Sequence, residues 1–143
     1  MREAVPHGRW NVLTILGALS TEGVQASMTV ESATDADVFL TFVEHVLAPT
    51  LRPGQIVVMD NLAAHKQRKV RRLLAARRCR LWYLPPYSPD LNPMELAWSK
   101  LKTFLRAAKA RLRPALEEAI GRGLGTITAQ EARNWFRHCR HAL

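Results

Sequence analysis

Ile56-Val57-Val58-Met59-Asp60-Asn61 sets four apolar residues against a carboxylate and an amide. A continuous apolar run of this length predicts a short interior strand, covered on both faces and ending at Asp60. Downstream, Asn92-Pro93-Met94-Glu95 predicts a boundary of another kind. Asn92 is a good N-cap and Pro93 suits the first helical position. Met94, Ala97, Trp98, Leu101, Phe104 and Leu105 then recur as one apolar stripe. Glu95 therefore opens a helix. A carboxylate at a strand end and another at a helix start both stand where a catalytic metal ligand is useful.

The rest of the chain fits around this pair. Trp10 to Leu19 is aliphatic and β-branched and predicts a buried strand. Ser20-Thr21-Glu22-Gly23 is turn chemistry. Val24, Ala26, Met28 and Val30 alternate, predicting a second strand and a hairpin. A helix is expected from Thr34, with Asp37 completing a capping box. Its apolar pairs Val38/Phe39, Phe42/Val43 and Val46/Leu47 define one buried face, and Pro49 and Pro53-Gly54 end it. After the strand at Ile56, a basic helix is expected over about Ala63 to Arg77, with Val70, Leu73 and Leu74 inward. Leu81 to Leu84 predicts one more strand, stopped by Pro85-Pro86. A helix from about Pro114 to Ile120 is expected to break at Gly121, Gly123 and Gly125. Thr128 with Glu131 caps a last helix carrying Trp135 and Phe136. The expected order is β-β-α-β-α-β-α-α-α.

The 143 residues make one domain with 48% hydrophobic residues, enough for a core. The net charge is +9, with 21 basic and 12 acidic residues, and suggests a polyanionic partner. The signs are segregated. No acid occurs from Asn61 to Pro89, while Lys66, Arg68, Lys69, Arg71, Arg72, Arg77, Arg78 and Arg80 do. A second acid-free stretch runs from Lys100 to Arg113. Two evenly solvated helix faces would mix the signs, so nucleic acid is the better reading. Cys79 and Cys139 have no metal-type spacing and imply no disulfide scaffold. No apolar stretch approaches the roughly 20 residues that span a bilayer, so a cytoplasmic location without membrane contact is expected.

The blocks Val57-Val58-Met59-Asp60-Asn61-Leu62-Ala63-Ala64-His65-Lys66 and Tyr83 through Lys102 resemble the DDE transposases of the mariner superfamily, in its bacterial insertion-sequence branch. The resemblance runs from about Pro6 to the C-terminus. It implies an α/β fold, a ribonuclease H-like mixed sheet flanked by helices. Residues of about 10–110 would form that part and 111–143 the C-terminal helices of a partial catalytic domain, 1–143. It implies DNA transposition by metal-dependent strand cleavage and strand transfer. Asp60 and Glu95 match the family's second and third carboxylates, catalytic and metal-ligating, in a site for two Mg²⁺ (or Mn²⁺) ions. The family's first Asp lies on a first strand, central in the sheet, which this reading does not find. The chain is therefore expected to be N-terminally truncated and inactive alone. A separately encoded N-terminal half, by frameshift or otherwise, is an expected partner, with a homo-oligomer in the active state and a nucleoid-associated bacterial location.

Local alternatives stand beside each assignment. Asp60-Asn61 also reads as a polar turn after a strand, and Glu95 as the capping partner of Asn92. Asp90, in Ser88-Pro89-Asp90, competes for a carboxylate role but suits an Asx turn. His65 reads as an ordinary helix-start histidine, and His138-Cys139-Arg140-His141 lacks a second ligand pair. DNA contacts are expected from Lys66, Arg68, Lys69, Arg71, Arg72, Lys100 and Lys102. Trp82, Tyr83 and Tyr87 are candidates to stack on splayed bases, and Trp82 and Tyr83 must point to opposite faces of a strand. A non-catalytic DNA-binding remnant of a transposase is the alternative function.

Overall fold

The computed structural model describes residues 2–7, 11–31, 35–60, 68–86, 88–109, 112–139 and 141. Antiparallel pairing builds the first layer. β1 (Arg2–His7) pairs antiparallel with β2 (Asn11–Ser20), which pairs antiparallel with β3 (Gly23–Val30). Gly23 takes φ +114 at the second turn, a left-handed conformation that L side chains rarely adopt. The sequence predicts β2 and β3 and misses β1. Charged Arg2 and Glu3 and the donor-less Pro6 give that strand little β signal. The observed order is thus β-β-β-α-β-α-β-α-α-α, with three antiparallel strands rather than two.

β3 also departs from simple alternation. The register slips between Ala18 and Leu19, so Ala18 faces Ala26 but Leu19 faces Val24. This bulge switches faces. Ala26 and Met28 pack on one side of the sheet, while Leu19 and Val24 pack on the other.

α1 (Ala36–Phe42) is capped by Asp35, whose carboxylate accepts the Val38 N–H at 2.9 Å. The expected cap at Thr34 lies outside the described residues. The helix widens into a π-type turn at Val43–Leu47 and tightens at Ala48–Thr50, where Pro49 ends it. Phe39, Phe42, Val43 and Leu47 are buried as their spacing predicts. β4 (Ile56–Met59) runs parallel to β5 (Arg80–Tyr83), joined by α2 (Arg68–Ala76). Among the described residues, β4 and β5 form a sheet of their own, separate from β1–β3. β4 is therefore less covered than a continuous apolar run implies. Met59 is buried, Val57 and Val58 are half-buried, and Ile56 is exposed.

α3 (Pro93–Ala108), α4 (Arg113–Gly125) and α5 (Ala129–His138) complete the domain. Two clusters hold it together. Leu13 and Ile15 of β2 pack with Met94, Trp98 and Leu101 of α3 and with Leu116, Ile120 and Leu124 of α4. Leu16, on the opposite face of β2, packs with Phe39, Phe42, Met59, Val70 and Leu74. Each such side chain, fully buried, contributes about 1.5–3 kcal/mol.

Gly121 and Gly123 do not break α4, which runs on to end at Gly125, and Gly123 is pressed against α3. A Cβ there would lie 2.6 Å from Leu101 Cδ1 and 2.9 Å from Phe104 Cδ1, whereas one on Gly121 meets nothing within 4 Å. Gly123→Ala should therefore destabilise by about 1–3 kcal/mol through overpacking. Gly121→Ala should stabilise by up to about 1 kcal/mol through helix propensity. Thermal melts of the two variants should move in opposite directions; a shift of the same sign would contradict this packing.

Candidate active site

Asp60 follows the last residue of β4. The Leu84 N–H donates to the Met59 carbonyl at 2.8 Å, so β5 extends its hold on β4 to the edge of that carboxylate. Asp60 is half-buried, and its Oδ1 is fully buried. A carboxylate oxygen taken out of water is costly unless hydrogen bonds or a cation compensate it. Glu95 sits in the first turn of α3, exposed. Asn92, 3% exposed, caps that helix as expected by accepting the Met94 N–H at 3.1 Å. The positive end of the helix dipole favours an anionic side chain in this turn.

The residues that precede the two carboxylates line one cavity of ≈ 330 Å³. Its walls are Val57, Val58 and Met59 on one side and Asn92, Pro93 and Met94 on another. Gly17 to Ser20 of β2 form a third wall. Among the described residues β1 pairs with β2 as far as Leu16, and this cavity borders the part of β2 beyond it and lies between β2 and β4.

The two carboxylates present hard oxygen donors, the chemistry that suits Mg²⁺ or Mn²⁺. Among the described residues no group of three His, Cys, Asp or Glu side chains stands ready to hold a metal ion. Several other acids have partners elsewhere. Asp35 caps α1, and Glu22 lies 3.4 Å from Arg52. Asp90, exposed in the turn Pro89–Leu91, acts on Cys139: burial, then the Asp90 charge, push that thiol up. His141 Nε2 lies 2.6 Å from the Leu91 carbonyl, its ring edge-on to Phe136, which ties the C-terminal end to the loop before α3.

α2 presents Arg68, Lys69, Arg71 and Arg72 outward while Val70 and Leu74 are buried. Lys66, His65 and Tyr87 lie outside the described residues. The Arg71 guanidinium stands 5.3 Å from the Tyr83 ring centroid, an arrangement no spacing in the sequence announces. Burial raises the Tyr83 phenol, and the Arg71 charge and hydrogen bond partly offset that. Tyr83 and Trp82 do face opposite ways: Tyr83 packs toward α2, and Trp82 is 55% exposed.

Lys102 is exposed, whereas Lys100 is engaged within the fold. Its ammonium is bonded to Glu131 and to the Thr126 carbonyl, and so braces α3 against α5 rather than standing open to a phosphate. Glu131 also completes the predicted capping box with Thr128. The Lys100 hydrogen bond, then that of the Thr128 backbone, holds the Glu131 carboxyl below its usual range. A carboxyl depressed in the folded state adds stability above its unfolded pKa and loses it as pH falls through the folded value. Lys100→Ala should cost about 0.5–1 kcal/mol at neutral pH, a difference that fades in acid once Glu131 is protonated. DNA affinity should stay unchanged. Paired chemical melts at pH 7 and pH 3 with a DNA titration check this; loss of affinity without loss of stability would return Lys100 to the DNA-contacting set.

A family model described as DDE superfamily endonuclease matches residues 2–117, and the chain belongs to that family. Its fold is ribonuclease H-like. The Transposable element Tcb2 transposase of Caenorhabditis briggsae is 27% identical over 112 residues, 76% of this chain. The chain spans 41% of that relative's length. The Mos1 transposase catalytic domain with raltegravir and Mg superposes with a TM-score of 0.70 at 15% identity, covering 97% of this chain and 74% of that one. The Mos1 mariner paired end complex with Mn gives a TM-score of 0.68 at 18% identity, covering 96% of this chain and 42% of that one. Among the described residues no helix is long and apolar enough to cross a membrane.

Proposed function

We propose that this chain is the catalytic-domain portion of a DNA transposase of the bacterial insertion-sequence type. Asp60 and Glu95 are two of its three metal ligands. The observation that carries this reading is the single cavity lined by the residues preceding both carboxylates. Mos1 transposase structures that contain Mg or Mn support a divalent cation. Two such ions supply activation of the attacking oxygen and stabilisation of the leaving one. The chain's own residues do the rest. Asp60 and Glu95 offer oxygen ligands from a strand end and a helix start. Arg68, Lys69, Arg71 and Arg72, continued by Lys66 and Lys102, hold the phosphate backbone of transposon ends and target. Paired-end complexes of Mos1 support DNA as partner, and a homo-oligomer in the active state is part of the proposal.

The third carboxylate is proposed to arrive on a strand that enters between Gly17–Ser20 and Ile56–Met59. There it would run antiparallel to β2 and parallel to β4, whether encoded contiguously or as a separate half. The bacterial cytoplasm, at the nucleoid, is the compartment this implies. A second reading, a DNA-binding remnant without catalysis, is favoured by the lack of a three-acid group among the described residues. Supplying the strand and assaying metal-dependent nicking separates the two.

A further inference from the structure

β4 and β5 bury one face only. Val57, Met59, Leu81 and Tyr83 join the cluster beneath α1 and α2. The alternate residues form the other face, with Ile56 opposite Arg80 and Val58 opposite Trp82. That face lies open: Ile56 is 44% and Trp82 is 55% exposed, and Arg80 is exposed. A half-exposed indole sits beside a guanidinium two residues away on the same face. Arg77 and Arg78 are exposed just before them, in a stretch with no acid from Asn61 to Pro89.

We propose that Trp82 and Arg80 form a platform for an unpaired deoxynucleotide, the indole stacking on the base and the guanidinium holding the adjacent phosphate. The charge selects the ligand. A face with cations and no nearby acid in its own segment fits a polyanion. The ring selects its form. In a duplex both faces of each base are already stacked, so an exposed indole finds a free partner only on a single-stranded or splayed base. The register selects its place. Trp82 pairs with Val58, two residues before Asp60, which puts the two Cα atoms about 8 Å apart by strand rise and spacing. A span of about 8 Å is roughly one to two nucleotides of an extended single strand, so the stacked base would lie beside Asp60. Trp82 would then hold a strand end that has left the duplex beside the candidate metal site. The inference rests on the chain binding DNA as proposed above, but it needs neither metal nor a complete site.

The test uses the 143-residue chain without metal, with a 12-nucleotide oligo-dT and a 12-base-pair duplex as probes. Stacking is worth enough that Trp82→Ala should weaken oligo-dT binding about tenfold, while Trp82→Phe retains most of it. Duplex affinity should change less than about twofold, since its backbone contacts lie on α2. Oligo-dT carrying 5-iodouracil should photocross-link to Trp82, located by fragmentation of the tryptic peptide after Arg80. Trp82 is exposed, so its variants keep the fold, and their thermal melts verify this. Undiminished oligo-dT binding by Trp82→Ala, or equal losses on both probes, overturns the platform. If Trp82→Ala instead dissociates a dimer at unchanged oligo-dT affinity, the face is a contact between copies and the platform is wrong. Absence of binding to either probe by the unaltered chain would sink the DNA-binding reading itself, which a failure of the platform alone does not.

Discussion

Residues 1–143 incubated with supercoiled plasmid and Mg²⁺ or Mn²⁺ should leave it uncut, and the same residues preceded by an apolar strand ending in Asp should nick it. Ligand count decides the outcome. Two-metal chemistry holds its ions roughly 3.5–4 Å apart and needs enough anionic oxygens to keep both there. In the proposed site Asp60 and Glu95 supply two carboxylates, while Glu22 and Asp35 are engaged elsewhere. The cavity between β2 and β4 gives an added strand two edges to bind. Nicking by the completed protein should then fall by at least about a hundredfold in Asp60→Ala or Glu95→Ala, more than the 10–100-fold typical of residues that only support a ligand. Without the strand, the edge of β4 should also promote self-association, visible by sedimentation and reduced in the completed protein. Robust nicking by residues 1–143 alone, abolished by Asp60→Ala, would mean that an acid within this chain is the third ligand.

DNA binding should be strong at low salt, indifferent to sequence, and steeply weakened as salt rises. Each phosphate neutralised contributes about 0.9 log units of affinity per log unit of salt. Changing Arg68, Lys69, Arg71 and Arg72 together to alanine should thus flatten the slope by about 3 to 4 and cut affinity at 50 mM salt by several orders of magnitude. All four are exposed on α2, so the fold should survive. The Arg71 contact with the half-buried Tyr83 ring is lost with them, and a cation–π pair is worth about 0.5–2 kcal/mol. Salt-insensitive binding, or an unchanged slope in the fourfold variant, would move the DNA to another face.

What could be read in the chain beforehand was local. Asn92-Pro93 and Thr128 with Glu131 announce the starts of α3 and α5 because a cap satisfies backbone donors a few residues away. Asp60 and Glu95 were likewise legible as a strand end and a helix start. What escaped was set by contacts distant in sequence. α4 persists through Gly121 and Gly123, and Gly123 lets α3 approach closely, a fact stored in Leu101 and Phe104. Lys100 looks like any solvated cation until α5 brings Glu131 to it. β1 is a strand through its ladder with β2, not through its composition. The coverage of β4 could not be read from its apolar run, since that depends on which strands lie beside it.

β2 belongs to both cores at once: Leu13 and Ile15 point into one and the neighbouring Leu16 into the other. The cluster around α1, α2 and β4 meets the three-stranded sheet through Leu16 of β2 and through Ala26 and Met28 of β3. The domain therefore has a natural seam. Opening of the α1–α2–β4–β5 portion can occur as a partial unfolding while the β2–α3–α4 portion stays protected. In amide hydrogen exchange the β4 and β5 backbone should release its protons in a separate, earlier phase than β2. The carboxylate at the end of β4 thus rides on the less durable half of the molecule, and the one on α3 on the more durable half.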